Sequence, residues 1–340
     1  MKGSLVAIDE IGGRLAAAKL VNGRLHDFLI DPPAGVLVPG TILWARADRP
    51  LKGQGAMLMS LPGGASAFLR EAAGLKQGDR VAVQVTGFPE GDKAVPVTTK
   101  LLFKGRYAIV TPGAPGLNLS RQIKDDEARA RLQELATEAM TDSKHGLIIR
   151  SAAADADDAE IAADIDAVLA RAETALSAKD GIALAGPTSA ELARREWFAD
   201  AGDTEPGSFE RHGVHDLLAG LASDRIDLSG GAHAFIEPTR AFVAVDVNTG
   251  ADTSPAAGHK ANLALARELP RQLLMRGLGG QIVIDFAPMP KKERAGLEST
   301  LRTALKADPI ETSLVGWTTL GHYELQRKRE RLPVNFVDLT

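Results

Sequence analysis

The sequence has no cysteine, which excludes disulfides and any thiolate zinc or iron–sulfur site. It has no apolar run of membrane-spanning length, and Met1-Lys2-Gly3-Ser4 leads into alternating sequence instead of a secretion signal. Both absences fit a cytoplasmic protein with no membrane partner. Nor is there a large excess of one charge. Lys+Arg 40 against Asp+Glu 44 gives a net charge of −4, which argues against indiscriminate nucleic-acid binding and leaves any such contact to local patches. There is no Gly-x-x-x-x-Gly-Lys-Ser/Thr loop, which counts against nucleotide-dependent phosphoryl transfer. Internal repeats and long low-complexity tracts are also missing. What remains is an ordinary globular composition, 44% hydrophobic and 25% charged over 340 residues, long enough for two or more compact units.

The most informative stretch runs from Arg240 to Met289. Two apolar runs, Ala241-Phe242-Val243-Ala244-Val245 and Gln281-Ile282-Val283-Ile284, predict buried strands, and each ends in an acid, Asp246 and Asp285. Between them, residues 262–269 and 272–275 carry helical spacing that stops at Gly277-Leu278-Gly279-Gly280. A strand, a helix and a second strand predict a right-handed crossover that lays the two strands parallel. Both carboxylates then lie at carboxyl ends of strands, the edge where open α/β sheets place ligands. Taken singly, each acid reads as a turn former or helix cap. Together, with the amide of Asn248 close behind, they suit a hard divalent cation such as Mg2+.

Elsewhere the pattern is mostly β. Residues 3–31 alternate apolar and polar around Gly12-Gly13 and Asn22-Gly23, which predicts a meander with a tight hairpin at Asn-Gly. Short strands at 41–45, 55–59 and 80–85, broken by Gly, Pro and Asp turns, predict a small barrel over 36–100. Helices follow at about 125–140 and 157–178, flanking a buried strand at 146–149 that ends in Arg150-Ser151. A guanidinium beside a hydroxyl suits a terminal phosphate; a structural surface arginine is the plainer alternative. Residues 182–184 and a helix at 189–198 come next, then an exposed loop at 200–209 and a helix at 214–222. The acids from Asp155 to Asp166 read as a solvated helix face, whereas the basic set from Lys260 to Arg331 surrounds the acid pair and points to phosphate contacts.

Val245-Asp246-Val247-Asn248-Thr249-Gly250, Asn262-Leu263 and Leu278-Gly279-Gly280-Gln281-Ile282-Val283-Ile284-Asp285-Phe286 resemble the catalytic domain of the bacterial ribonuclease E/G family, in order and separation as well as in letters. The segment from Leu320 to Arg329 is similar to the Gly-x-x-Glu-x-x-Arg-x-Arg stretch that closes that domain. The resemblance implies an α+β chain of several subdomains: a split ribonuclease H-like part (1–35 and 182–221), an inserted S1 or OB-type barrel (36–100), a 5′-sensor-like region (101–181) and a DNase I-like α/β catalytic part (222–340). It implies a Mg2+-dependent endoribonuclease that cuts single-stranded RNA to 5′-phosphate and 3′-hydroxyl ends. Asp246 and Asp285 would hold the metal and Asn248 would orient the phosphodiester or a metal-bound water.

Further positions follow from the same likeness. Phe68 matches one RNA-stacking aromatic of the barrel, although it is equally a core residue, and the earlier aromatic is replaced near Met57. Lys93 matches a junction lysine that faces RNA, and Arg121, Arg271, Lys292, Arg327 and Arg329 are candidates for phosphate contacts. Gly105, Ile109, Arg150 and Ser151 fall where the family senses a 5′-monophosphate, but Arg150-Ser151-Ala152-Ala153 lacks the family's glycine, which puts the sensor in doubt. The family's cysteine zinc-link and small domain have no counterpart up to Thr340, so a monomer or weak homodimer is expected in place of a zinc-linked tetramer. An RNA-binding protein that has lost cleavage is the rival expectation. A phosphatase or kinase on the same sheet edge is more remote.

Overall fold

A computed structural model describes residues 3–51, 53, 55–141 and 143–339; Met1 and Lys2 of the opening segment, and Thr340 at the close, lie outside them. The chain forms two units, Met1–Pro33 with Trp197–Thr340, and Ala34–Glu196. The fold is mixed α+β and includes a closed five-stranded, OB-like barrel.

In the first unit the N-terminal meander is present as read. Ser4–Ile11, Arg14–Val21 and Arg24–Ile30 pair antiparallel in sequence. Asn22 takes φ 51° and Gly23 φ 74°, two successive left-handed residues that match the natural twist of a two-residue hairpin. The sheet gains a fourth strand that the sequence hides. Ala201–Asp203, expected to be loop, lies parallel to Ser4–Ile11, and Phe209 at the end of the same stretch is fully buried. An edge strand of three exposed or half-exposed residues has no alternation to reveal it.

The second sheet of this unit carries the acid pair. Its order is Arg225–Asp227, His233–Pro238, Val243–Asn248, Gly280–Asp285, Tyr323–Arg327 and Thr312–Trp317. Val243–Asn248 and Gly280–Asp285 run parallel, joined by the helix Ala257–Met275. That helix is one element where the sequence suggests two pieces, because Pro270 is accommodated inside it. It ends as expected: Gly277 at φ 64° sends its N–H to Leu274, and Leu278 bonds back to Leu273 at 2.9 Å, which satisfies the last carbonyls. The predicted strands are half-buried. Val243, Val245, Val247, Ile282 and Ile284 enter the core with Leu265, Leu269, Leu297 and Leu301 of the helices, while the alternate residues face outward.

In the second unit Ile42–Leu51, Ala56–Ser60, Ser66–Leu69, Val95–Thr98 and Arg80–Val85 close into the barrel when the last pairs back to the first. Ile182–Leu184, expected with the N-terminal meander, pairs instead with Ile42–Leu51 of the barrel. Beyond the barrel, the strand Gly146–Ile149 lies between Ala108–Thr111 and Gly116–Leu119, covered by the helices Asp126–Ala139 and Asp158–Ser177. Both helices start where their sequence says. Asp125 accepts the N–H of Ala128 at 2.7 Å, and Asp157 accepts that of Ala159 at 2.8 Å.

Candidate active site

The pairing of the two parallel strands sets Val245 opposite Ile284 and Asp246 opposite Asp285. The first pair is buried and the second exposed. Burying each Val or Ile stabilises the sheet by about 1.5–3 kcal/mol, and a slip of one residue would turn the acids into the core. The hydrophobic pattern therefore brings the carboxylates side by side on the open face, on strands about 4.8 Å apart. Asn248 lies on the same face, and its Nδ2 donates to Asp246 Oδ2 at 2.8 Å.

Three backbone devices hold this edge. Asn262, fully buried in the crossover helix, donates to the Ala287 carbonyl at 2.9 Å and accepts the Ala287 N–H at 3.0 Å, which fixes the segment leaving Asp285. Gly258 lets the helix approach the same segment, since a Cβ there would lie 2.1 Å from the Pro288 oxygen. Gly250 takes φ +63°, and a Cβ on it would lie 2.3 Å from the Gly231 oxygen. The motif letters Asn262 and Gly250 thus position the acids without touching them.

The sequence reading assigns no role to His322, which the antiparallel pairing of Ile284 with Tyr323 sets alongside Asp285. Its Nε2 lies 3.9 Å from Asp285 Oδ1. The register of the closing strand was the one signal that could have found it. Behind Asp285, the rings of Phe286, Trp317 and Tyr323 pack on one another, and the Arg294 guanidinium lies 3.9 Å over the Trp317 ring.

The other candidates divide. Lys292 is exposed on the turn Lys291–Glu293, and the Arg329 guanidinium covers Gly280, where a Cβ would lie 2.2 Å from its Nη2. Arg327 and Arg271 correct the expectation of phosphate contact. Arg327 is sealed in the core, its Nη1 and Nη2 each 3.0 Å from an Asp308 oxygen, with both side chains at most 1% exposed. Arg271 is mostly buried and holds Glu268 and the Leu25 carbonyl. Guanidiniums committed in this way serve the fold.

In the second unit, Phe68 is half-exposed on the barrel, flanked by Leu58 and Pro96. The residue beside Phe68 is Leu58 and not Met57, which points inward and is buried. Lys93 is exposed and paired with Glu90 at 2.8 Å, and Arg121 is exposed after Gly116–Leu119. Gly105, Arg150 and Ser151 gather at one end of the Gly146–Ile149 strand, and Ile109 is half-buried on its neighbour. Arg150 Nη1 donates to the Gly105 carbonyl at 2.6 Å, and Nη2 pairs with Glu196.

The paired site offers the oxygens of two exposed carboxylates and one half-buried amide, with the His322 imidazole beside Asp285. Mg2+ is commonly held by one or two carboxylates with water and phosphate oxygens completing its shell, so the donor set fits it. Among the described residues no group of three or more His, Cys, Asp or Glu converges as a metal-binding cluster. Among the described residues, too, no helix is long and apolar enough to cross a membrane.

Comparison with known proteins agrees with the residue pattern. The model of the ribonuclease E/G family matches residues 103–192 and 193–330. Ribonuclease G of Escherichia coli (strain K12) is 27% identical over 94% of this chain and 78% of its own length. Ribonuclease G of Haemophilus influenzae is 28% identical over 76% of this chain and 61% of its own length. Ribonuclease E of Synechocystis sp. is 28% identical over 77% of this chain, which spans 46% of that longer protein. With a family model that covers the acid pair, its amide and most of both units, this chain belongs to the ribonuclease E/G family.

Proposed function

We propose that the protein is a Mg2+-dependent endoribonuclease of the cytoplasm that cleaves single-stranded RNA. The observation that carries this reading is the pairing of Asp246 with Asp285 on the solvent face of the sheet. Bound Mg2+ would lower the pKa of a water nucleophile and offset the charge that develops on the scissile phosphate. Asp246 and Asp285 would hold the metal, and Asn248 fixes the Asp246 carboxylate while its oxygen remains for the substrate or a water. In the reaction the water oxygen adds to phosphorus, the bond from phosphorus to the 3′ oxygen breaks, and that oxygen leaves with a proton. The products are a 5′-phosphate and a 3′-hydroxyl. Lys292 and Arg329 steady the phosphate backbone on one unit, and Phe68, Lys93 and Arg121 engage RNA on the other.

In this reading residues 222–340 act as the DNase I-like catalytic part and residues 36–100 as the S1-like barrel. The ribonuclease H-like part is assigned by fold alone and carries no chemistry.

The test is an A/U-rich oligoribonucleotide incubated with the protein, with Mg2+ and with EDTA. Fragments are expected only with Mg2+, and their new 5′ ends should be open to a 5′-monophosphate-dependent exonuclease. Binding without fragments in Mg2+ would make it an RNA-binding protein of the same fold.

A further inference from the structure

The guanidinium of Arg294 is held by a ring and not by a carboxylate. Arg294 opens the helix Arg294–Lys306, and its guanidinium carbon lies 3.9 Å from the centre of the Trp317 ring. The ring is fixed in turn. Trp317 Nε1 donates at 2.7 Å to Oε1 of Glu298, one turn further along the same helix, and the rings of Phe286 and Tyr323 pack on the indole. Trp317 is therefore a rigid seat for the arginine.

The seat leaves the charge unanswered. Among the described residues, the buried Nε of Arg294 meets no hydrogen-bond partner and no acid pairs with the guanidinium. Elsewhere in this unit Arg271, Arg327 and Arg331 are answered by Glu268, Asp308 and Asp27. The unanswered fork also stands beside the acid pair. A Cβ on Gly321 would lie 3.9 Å from Arg294 Nη2, and Gly321 precedes His322, whose ring is 3.9 Å from Asp285. The turn that carries both is tight: the Thr318 N–H donates to the His322 carbonyl at 2.8 Å, and the Gly321 N–H to that of Thr318 at 3.1 Å.

We propose that Arg294, presented by Trp317, contacts an RNA phosphate next to the one that is cut. The inference rests on the ribonuclease reading, since a phosphodiester lodged at Asp246 and Asp285 brings the next phosphate of its strand to the rim of the site. A guanidinium meets a phosphate with two parallel N–H bonds, and one already stacked on an indole loses little freedom in doing so. Arg294 is then the contact, and Trp317 and Glu298 are positioning residues.

The test follows binding of one fluorescent A/U-rich oligoribonucleotide to the full chain by anisotropy in EDTA, over a series of salt concentrations, and cleavage in Mg2+. Arg294→Gln and Arg294→Met should each weaken binding about tenfold, the loss of one charge-assisted contact. Each should also make the plot of log affinity against log salt shallower by about 0.7, the count for one phosphate on a single strand. Arg294→Lys keeps the charge without the fork, so it should keep the slope and lose part of the affinity. An arginine that only packs on Trp317 would change the melting temperature and leave the slope alone. Variants folded by circular dichroism that show the unaltered slope, whatever their affinity, would therefore overturn the proposal. A shallower slope in Arg294→Lys, or no RNA binding by the unaltered protein, would overturn it too. The slope reads Arg294 whether or not RNA is cut, so a failure to cut counts against the nuclease reading alone.

Discussion

At the scale of single residues, the same type serves opposite ends according to burial. Asp285, at the end of its strand, and Asp246, two residues before the end of its own, are exposed, whereas the Asp308 side chain is at most 1% exposed and committed to Arg327. A buried charge deprived of its partner costs about 3–5 kcal/mol, so Arg327→Met should lower stability by that amount in urea melts. It should do so without a specific loss of RNA affinity in the protein that remains folded. A variant of unchanged stability that had lost RNA binding would return Arg327 to the phosphate contacts. Sequence reading could not foresee this burial, because the partner lies nineteen residues away, across the strand Thr312–Trp317 and a turn. The Arg150–Glu196 pair was hidden for the same reason, forty-six residues apart.

At the scale of elements, what was legible was whatever a local pattern decides. Asn22-Gly23 announces its hairpin, Asp125 and Asp157 announce their helices, and alternation around Val245 and Ile284 fixes which side of each strand is wet. The partner of a short, half-exposed strand was not legible, so Ile182–Leu184 and Ala201–Asp203 were misread. Side-chain identity at the barrel surface needed the same pleat information. Leu58, and not its buried neighbour Met57, lies beside Phe68. A leucine offers no π face, so Leu58→Phe should complete a two-ring platform with Phe68. Base stacking contributes about 1–3 kcal/mol per base, and single-stranded RNA affinity should rise by an amount within that range. Unchanged affinity in a folded variant would mean that RNA does not use this stripe.

The whole molecule carries a net charge of −4, and one acid pair stands on the exposed face of one sheet. In the proposed function Asp246 and Asp285 act as a unit through one shared cation. A double-mutant cycle on cleavage rate in saturating Mg2+ tests this most directly. Asp246→Asn and Asp285→Asn should each slow cleavage about a thousandfold, and the double variant should be no slower than either single one. Losses that multiply, or a well-folded single variant that cuts at the unaltered rate, would contradict it.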